Sequence, residues 1–518
     1  MEESKKTSSS PRDTLVEDKE ANGVVELDHR VSPSKDGKVN DPYLVTFEPH
    51  DAENPRNWSK AKKWYLTIFC SYLNVLVASQ ASAYSTGQEQ LEKEFNMSSE
   101  AATVGLSLYV LGFALFPMVV APLSEAFGRR IIYVVCWAFW VILQFGVAFA
   151  PNKGCLFAFR FLTGCFSSPP LANTGGVISD LWGRDESGPA MAIYVFGSTI
   201  GPQLGNVYGG FIAQQLGWRW VFYLTSILIM GVHWFVIVLT LTETRHNIIL
   251  AKRAARLRKQ TGDDRYVSVR QDEKKTVPQM LRVSLSRPFV FLFTEPITQF
   301  AAVWNGLLYG LIFLFNTAMV MVFGPDNGGY AWKHPGVVQL TFLAFIVGEA
   351  IGLCLFPFTQ ERYYQRKVKR AGASVPEARM ASGTIGCCLL PIGLFLFAWT
   401  CYPSIYWLVP LIGAVIFGIG FFQVLYGIMS WTVDSYREYS ASALGAVVLI
   451  RNIFGAVFPL VAGPMYTNLG NHWASSLIAF LGLPLIPVSW FFFYKGAVIR
   501  KKSPWAAEHF DDDEDAPH

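Results

Sequence analysis

Charged residues are scarce in this sequence. Only 16% of its 518 residues are Asp, Glu, Lys or Arg, whereas soluble globular chains contain about 25%. The charges are also clustered, and many stretches between the clusters are apolar over about 20 residues, the length that crosses the hydrocarbon core of a bilayer. Hydrophobic residues make up 52% of the chain. These proportions exclude an ordinary soluble domain and predict an all-α polytopic membrane protein.

The sequence also lacks the motifs of several other protein classes. It has no Gly-x-x-x-x-Gly-Lys-Ser/Thr loop for nucleotide phosphates, which argues against an ATP-driven pump. It has no basic stripe interleaved with aromatic residues, so nothing indicates a nucleic acid partner. The eight cysteines lie in or beside apolar stretches without zinc-type spacing. We predict no metal, no cofactor and, without a nucleophile–base set, no enzyme.

An apolar segment is missing from the first 60 residues as well. They are rich in Ser, Lys, Asp and Glu and do not resemble a signal peptide. We predict a disordered cytosolic tail over residues 1–60. Residues 497–518, which contain the acidic run from Asp511 to Asp515, are predicted to be a second cytosolic tail.

Twelve apolar stretches fall into two sets of six. We predict a six-helix bundle over 61–242, a cytosolic central loop over 243–287, and a second six-helix bundle over 288–496. The predicted spans start near Trp64, Ala102, Ile131, Cys155, Ala190, Trp220, Ile297, Gly336, Gly383, Tyr406, Ala443 and Trp473. Lys and Arg are concentrated in the even-numbered gaps, in the central loop and after the last span. The positive-inside rule therefore predicts that both termini are cytosolic.

The two halves have features of a repeat. Asp180 and Arg184 after span 4 are matched by Asp434 and Arg437 after span 10, with the aspartates 254 positions apart. A Gly-x-x-Trp sequence before span 6 recurs 253 positions later before span 12. Two matches at nearly one offset favour a duplicated six-helix unit. The four charged residues are predicted to gate the interface between the halves; a static set of salt bridges is the alternative.

A charged motif occupies the short gap between spans 2 and 3. It runs from Ala121 to Arg130, and Gly128 permits a tight turn. Glu125 ends span 2, and Arg129 and Arg130 begin span 3, so we predict a charge pair that latches neighbouring helices in one state and releases them in another. The alternative is that both arginines serve only as positive-inside anchors.

This motif resembles the signature loop of the major facilitator superfamily, with Ala121 in place of its first Gly and Glu125 in place of its Asp. Arg160-Phe-Leu-Thr-Gly164 resembles the family's buried-arginine motif. The resemblance implies the major facilitator fold, with twelve transmembrane helices as two six-helix pseudo-repeats.

A second motif, in span 5, is similar to the one associated with antiporters. It contains Gly197, Gly201, Pro202 and Gly205. Its glycine spacing of four puts small residues on one helix face, which allows another helix to approach closely. Ordinary small-residue packing is the alternative interpretation.

From Asn54 to Ala506 the chain also resembles the fungal drug:proton antiporters with twelve spans, especially their polyamine and multidrug branch. The sequences that carry this resemblance are Asn54-Pro-Arg-Asn-Trp58, Leu241-Thr-Glu243-Thr, Arg287-Pro-Phe289, Glu295-Pro296-Ile297, Pro376-Glu377-Ala-Arg379, Ala441-Ser-Ala-Leu444 and Phe458-Pro-Leu460. Asn316 in span 7 stands near a position where that branch often carries an acid, which weakens the case for a cationic substrate.

Ionisable residues within the apolar runs are the candidates for proton coupling, because such residues are costly in hydrocarbon and face a cavity or a partner. Glu349 in span 8 is the predicted proton-binding acid, and the resemblance implies Arg160 as its partner. A static structural role is the alternative for both, and binding of an anionic substrate is a further alternative for Arg160.

In the resembled fold, spans 1, 4, 7 and 10 line the substrate cavity. Amide and aromatic side chains in those spans suit amphipathic organic molecules, although each of them has hydrogen bonding between helices as an alternative role. The predicted cavity residues are Asn74, Tyr84, Asn173, Asn305, Tyr309, Asn316, Gln423 and Tyr426.

The function predicted from these features is export of drugs, toxins or secondary metabolites by proton antiport. Proton-coupled or facilitated uptake of a metabolite is the main alternative, and a non-transporting sensor is a remote one. The predicted partners are a small organic substrate, protons and the lipid bilayer, with a monomer in the plasma membrane as the functional form. The substrate itself is not specified by the sequence.

Overall fold

The structure is a computed structural model that describes residues 43–48, 50–183, 186–268, 277–325, 329–372, 375–436, 440–503 and 505. The first half contains α1 (Lys60–Ala83), α2 (Gln88–Phe95), α3 (Ser99–Leu115), α4 (Pro117–Phe127), α5 (Arg129–Ala148), α6 (Lys153–Phe166), α7 (Pro169–Leu181), α8 (Ser187–Leu216), α9 (Trp218–Leu224) and α10 (Val232–Thr240). After it come α11 (His246–Thr261), α12 (Val277–Thr294), α13 (Pro296–Phe323), α14 (Pro335–Gln339), α15 (Leu343–Phe356), α16 (Arg362–Ala371), α17 (Ala381–Thr400), α18 (Leu408–Tyr436), α19 (Ser440–Gly482) and α20 (Leu485–Lys502).

Shorter elements connect several of these helices. Turns of π-helix join α9 to α10 and α15 to α16, at Thr225–Gly231 and Pro357–Glu361. The 3₁₀ helices are Pro55–Asn57, Tyr84–Gly87, Leu340–Phe342 and Pro376–Met380, and the strands are β1 (Leu44–Val45) and β2 (Val267–Ser268).

The described part of the chain contains nine continuous helical stretches that are long and apolar enough to cross a membrane. One of them, Ser442–Lys502, contains two passages, because Gly470 has φ 74° and ψ 165° and breaks the helix there. Two further passages are α6 with α7, which Pro169 interrupts, and α8, whose 30 residues contain Pro202. Together these form twelve spans, each beginning within four residues of its predicted start.

We number the spans in chain order. Spans 1 to 6 are α1, α3–α4, α5, α6–α7, α8 and α9–α10; spans 7 to 12 are α13, α14–α16, α17, α18, α19 before Gly470, and the remainder of α19 with α20. Because an even number of passages returns the chain to its starting side, both ends of the bundle lie at one face, which we call the terminal face. The other is the opposite face.

The packing forms two halves that meet along a few helices. Within the first half α1 packs on α8 and α3 on α6, and within the second α13 packs on α19 and α17 on α18. The halves meet where α3 contacts α19 and where α8 contacts α14 and α15. Large apolar side chains such as Leu239 and Phe293 are 81% and 80% exposed, which suits a surface solvated by lipid rather than water.

The described part of the N-terminal tail is attached to the central loop. β1 pairs in parallel with β2, and Val45 packs with Leu250 and Ala254 of α11. Within the predicted tail, residues 43–48 and 50–60 are described by the structure, and α11 and β2 supply apolar and hydrogen-bonding partners that the tail's own composition lacks. Residues 1–42 lie outside the described residues.

Ion pairs reinforce this attachment. Arg253 pairs with Asp51, and Arg256 Nη1 lies 2.9 Å from Glu53 Oε1. The pKa of Asp51 is lowered, first because the Glu53 backbone N–H donates to its carboxylate and further by Arg253, while burial opposes the shift. Asp51 is therefore ionised at neutral pH.

At the other end of the chain, α20 continues to Lys502, six residues beyond the predicted bundle boundary at residue 496. The buried carboxylate of Glu295, just before span 7, accepts hydrogen bonds from Tyr436 (2.9 Å), from Ser503 and from the Trp505 backbone N–H (3.4 Å). The chain after span 12 is thus fixed to the start of span 7. The acidic run 511–515 lies outside the described residues.

Candidate functional site

Two adjoining cavities lie between the halves. Both are lined by Ser198, Pro202, Tyr309 and Phe313. The larger is also lined by Asn74, Ala78, Ala81, Tyr109, Val110, Phe113, Leu171, Arg451 and Asn452, and the smaller by Thr199, Gln203, Ile312, Asn316 and Phe421. Neither lining contains an acidic residue.

Several buried polar atoms of this lining have no hydrogen-bond partner within the described residues. They are Asn74 Oδ1, both amide atoms of Gln203, Asn316 Oδ1, Arg451 Nε and Asn452 Nδ2. Buried polar groups are nearly always satisfied in folded proteins, so these atoms are available to hydrogen-bond a molecule in the cavity. Aromatic side chains form much of the remaining wall, and the lining therefore combines apolar surface with polar groups.

Three of the eight predicted cavity residues line the cavity. They are Asn74, which donates to Ser198 Oγ (2.5 Å), Tyr309 and Asn316.

The other five lie elsewhere, so their prediction as cavity residues does not fit the described lining. The Tyr84 hydroxyl donates to the Ala102 carbonyl, and Asn173 Oδ1 accepts from Ser124 Oγ. Gln423 donates to Thr359 of span 8, and Tyr426 accepts from Arg379. Asn305 is fully buried outside the lining.

Spans 2, 5 and 11 contribute more to the lining than spans 4 and 10, contrary to the expectation from the resembled fold. Span 11 supplies Arg451 and Asn452. Arg451 was recognisable as a charge within an apolar run, but the side of the helix that faces the cavity could not be read from that run, because the residues around it are apolar apart from Asn452.

Arg160 in span 4 is fully buried and has no ion pair among the described residues. Its guanidinium donates to the Gly105 carbonyl (3.0 Å) and, at longer distance, to the carbonyls of Gln80 and Ala81. The rings of Tyr84 and Tyr109 each lie 4.5 Å from its central carbon. Carbonyl dipoles and aromatic faces therefore solvate this charge, and it joins spans 1, 2 and 4.

Glu349 in span 8 is also fully buried, and neither of its carboxyl oxygens has a hydrogen-bond partner in the described part of the chain. It faces Thr199 of span 5, which lines the smaller cavity. Span 10 approaches closely here, since a Cβ on Gly418 would lie 3.2 Å from Gly348 Cα. The structure gives no contact between Glu349 and Arg160.

At the terminal face, Asp180 is the centre of a charged cluster. Its carboxylate is buried and lies 3.3 Å from Arg129 Nε and 3.6 Å from Arg245 Nη1. Thr244 donates to it, and His246 Nδ1 is 3.9 Å away. Burial lowers the pKa of His246, against the opposing effect of Asp180, so this histidine is neutral at physiological pH. The cluster joins the start of span 3 and the end of span 4 to the start of α11.

The predicted latch pair is not the one observed. Glu125 pairs with Arg245 at 3.6 Å, Arg129 pairs with Asp180, and Arg130 donates to the Val238 carbonyl at 2.7 Å. The geometric reason is that Gly128 turns the chain between spans 2 and 3 with φ 103°, and the Arg129 side chain extends toward span 4.

Sequence reasoning missed the role of Glu243. This residue follows span 6, and its carboxylate lies at the N-terminus of span 3. Its two carboxylate oxygens accept from the Arg129 and Arg130 backbone N–H groups at 3.0 and 3.2 Å. An anion at a helix N-terminus satisfies otherwise unpaired donors and the helix dipole. A Cβ on Gly128 would overlap Glu243 Oε2 and would displace this carboxylate, and the positive φ of Gly128 also favours glycine here.

The second half has a related cluster. Asp434 accepts from Arg379 Nε (2.8 Å), and Tyr364 donates to the same carboxylate. The Arg379 guanidinium also stacks 3.5 Å from the Tyr364 ring. Arg379 and Asp434 follow Arg129 and Asp180 by 250 and 254 positions, so the clusters correspond under the proposed repeat. The predicted gating residues Arg184 and Arg437 lie outside the described residues.

The span 5 glycines face span 1. A Cβ on Gly197 would lie 2.9 Å from the Ser71 carbonyl oxygen, and one on Gly201 would lie 2.5 Å from Ala78 Cβ. A Cβ on Gly205 would overlap the Ser79 carbonyl. The backbones of spans 1 and 5 are therefore in contact, while Pro202 of the same motif faces the cavity.

The halves also touch at both faces. At the opposite face the Gly336 N–H donates to Gln214 Oε1 at 2.8 Å. At the terminal face a Cβ on Gly188 of span 5 would lie 2.7 Å from Glu361 Oε2 of span 8. The cavities therefore lie between two zones of contact.

Two helical halves around a buried amphipathic cavity define a polytopic membrane transporter rather than an enzyme. A family model described as Major Facilitator Superfamily matches residues 65–459. The chain belongs to this superfamily, and its twelve spans are the two six-helix repeats of that fold.

Among its relatives is the "Major facilitator superfamily multidrug transporter mdrA" of Aspergillus fumigatus, 39% identical over 91% of this chain and 77% of the relative. The "MFS-type efflux pump MFS2" of Trichophyton rubrum is 38% identical over 91% of this chain and 79% of the relative. The "Major facilitator-type transporter sor6" of Hypocrea jecorina is 38% identical over 96% of both chains.

Proposed function

We propose that this protein exports small organic molecules in exchange for protons, by alternating access of the cavity to the two sides of the membrane. The observation that carries the proposal is the cavity between the halves, where unpaired polar atoms of Asn74, Gln203 and Asn316 stand beside aromatic walls. Relatives named as a multidrug transporter and an efflux pump support the outward direction.

Glu349 is the proposed proton-binding group. It is a carboxylic acid of span 8 whose oxygens have no hydrogen-bond partner within the described part of the chain, and it lies behind Thr199 at the edge of the smaller cavity. An acid at such a position exchanges protons only when the halves open toward water, so proton binding and cavity access are linked. Arg160 is proposed to hold spans 1, 2 and 4 together during this cycle, since its donors are directed to their carbonyls.

The terminal face is proposed to be cytosolic, in agreement with the Lys and Arg residues that flank it. The clusters at Asp180 and Asp434 then act as cytosolic gates. The proposed functional form is a monomer in the plasma membrane, because one chain contains both halves and the whole cavity.

Proteoliposomes with an imposed pH gradient test the proton coupling. We expect the purified protein to move a fluorescent amphipathic probe against the probe's concentration gradient when the pH gradient is present. Glu349→Gln should lose at least about 90% of this accumulation, because the substitution removes the proposed proton-binding carboxyl group. Glu100→Gln, which alters an exposed carboxylate at the start of α3, is the matched control and should behave as the unmodified protein.

Transport that is indifferent to collapse of the gradient would contradict antiport. Substrate movement in the same direction as protons would favour the alternative, uptake by symport.

A further inference from the structure

Arg451 is the one cationic side chain in the lining of the two described cavities. It lies eleven residues into α19, which begins at Ser440, and therefore about 16 Å along the span at 1.5 Å per residue. That depth is close to the middle of a hydrocarbon core about 30 Å thick. A charge there is costly, and in membrane proteins such charges mark binding sites or have a partner.

Arg451 has no such partner within the described residues. It is only 2% exposed, forms no ion pair there, and its Nε has no hydrogen-bond acceptor. Its guanidinium instead stacks on Tyr309 of span 7, with 4.2 Å between the central carbon and the ring centroid. Arg160, which is also buried, differs because carbonyl groups take up its donors.

The surroundings of Arg451 suit an anion attached to an apolar body. Asn452 adds an amide with an unpaired Nδ2 donor, and neither cavity lining contains Asp or Glu that would neutralise the arginine or attract a cation. Phe113 and Phe313 line the same cavity and supply apolar contact area. Guanidinium groups bind carboxylates through charge-assisted hydrogen bonds, which are stronger than neutral ones.

We propose that the transported compounds are organic anions, such as carboxylic acids or ionised phenols and enols carrying an apolar or aromatic body, and that Arg451 binds their anionic group. The proposal rests on the proposed export function and assigns its substrate class. It differs from the expectation for a polyamine carrier, whose cationic substrates would require an acidic cavity.

Ligand binding to the purified full-length protein tests this assignment without any proton gradient. The probes are matched triples that share one apolar body and differ in one group: naphthoic acid, naphthamide and naphthylmethylamine, with the corresponding indole compounds. At pH 7.5 the acids are anions and the amines are cations. We expect the acids to raise the melting temperature of the protein. They should bind about tenfold or more tightly than the amides, because the acids form a charge-assisted hydrogen bond that the amides lack.

Variants then assign the preference to one residue. Arg451→Gln should abolish the preference for the acids, and Arg451→Lys should retain part of it because the charge remains. Arg366→Gln, at an exposed arginine of α16, is the matched control and should leave the preference unchanged. Melting curves without ligand establish that each variant is folded.

Equal affinity for acid, amide and amine in the unmodified protein would overturn the assignment, as would an acid preference that survives in Arg451→Gln or the absence of binding by any acid. Should Arg451→Gln not fold, the unmodified protein and Arg451→Lys still decide the outcome. These results are independent of proton coupling: selective acid binding with gradient-insensitive transport would uphold the substrate class and contradict only antiport.

Discussion

Each charged residue buried in this bundle has a different local environment. Arg160 is surrounded by carbonyls and rings, and Asp180 by two arginines, whereas the carboxyl oxygens of Glu349 have no hydrogen-bond partner among the described residues. Burial of a charge is tolerated when other groups replace its hydration. Arg160 and Asp180, whose hydration is replaced by such groups, are suited to fixing helices. Glu349, whose hydration is not replaced, is suited to exchanging a proton.

Asp180→Asn tests the fixing role. The substitution leaves Arg129, which is 6% exposed, without its buried counter-charge, and breaking such a pair costs on the order of 3 kcal/mol. We expect a clearly lower melting temperature in detergent and reduced transport. Asp264→Asn alters an exposed aspartate in the central loop and should change neither. An unaltered melting temperature for Asp180→Asn would contradict the role of this carboxylate in fixing Arg129 and the helix ends around it.

Among the helices, spans 1 and 5 pack with their backbones in contact. Gly197, Gly201 and Gly205 recur every four residues along α8 and remove the side chains that would separate the two helices. The same helix turns Pro202 and Gln203 toward the cavity. Span 5 therefore connects the first half to the substrate path and, through α14 and α15, to the second half.

A methyl group at Gly205 should disrupt this interface. Gly205→Ala would overlap the Ser79 carbonyl, and overpacking of this kind costs about 1–3 kcal/mol. We expect lower thermal stability and lower yield of folded protein, measured by fluorescence-detected gel filtration. Gly175→Ala is the matched control, because a Cβ on that helical glycine meets nothing within 4 Å. Equal stability of the two variants would contradict the close approach of spans 1 and 5.

For the molecule as a whole, the central property is that the halves are in contact at both faces while a cavity remains between them. Span 5 participates at both ends, through Gln214 at the opposite face and Gly188 at the terminal face. Alternating access requires that these two zones separate in turn. Preventing one separation should therefore stop the cycle without unfolding the protein.

A covalent bridge at the opposite face tests this requirement. A Cβ on Gly336 would lie 2.9 Å from Phe211 Cδ1, so Phe211→Cys with Gly336→Cys is within reach of a short bifunctional thiol reagent. In a background without the eight native cysteines, we expect the reagent to block transport by the double variant and a reducible linker to restore it on reduction. Each single variant should remain active after treatment. Full activity of the bridged protein would show that transport does not require separation at this face.

Much of this architecture was predictable, because apolar length and the positions of Lys and Arg encode spans locally. All twelve starts could be read from stretches of about 20 residues. Asn74, Tyr309 and Asn316 were identified because amides and tyrosines stand out in apolar helices. The observed pairs of Arg129 with Asp180 and of Glu125 with Arg245 could not be predicted, because their members are distant in sequence. The facing of Arg451 depends on span rotation, which near-uniform apolarity leaves undetermined.

The pairing of β1 with β2 has a consequence for biosynthesis. Leu44 lies opposite Val267, so the partner of the first strand leaves the ribosome only after spans 1 to 6 have been synthesised. The attached N-terminal segment cannot assume its final position during insertion of the first half. Its docking on α11 is instead a late step, and protease sensitivity of the segment near Asp51 in ribosome-bound chains should persist until residues beyond Ser268 have emerged.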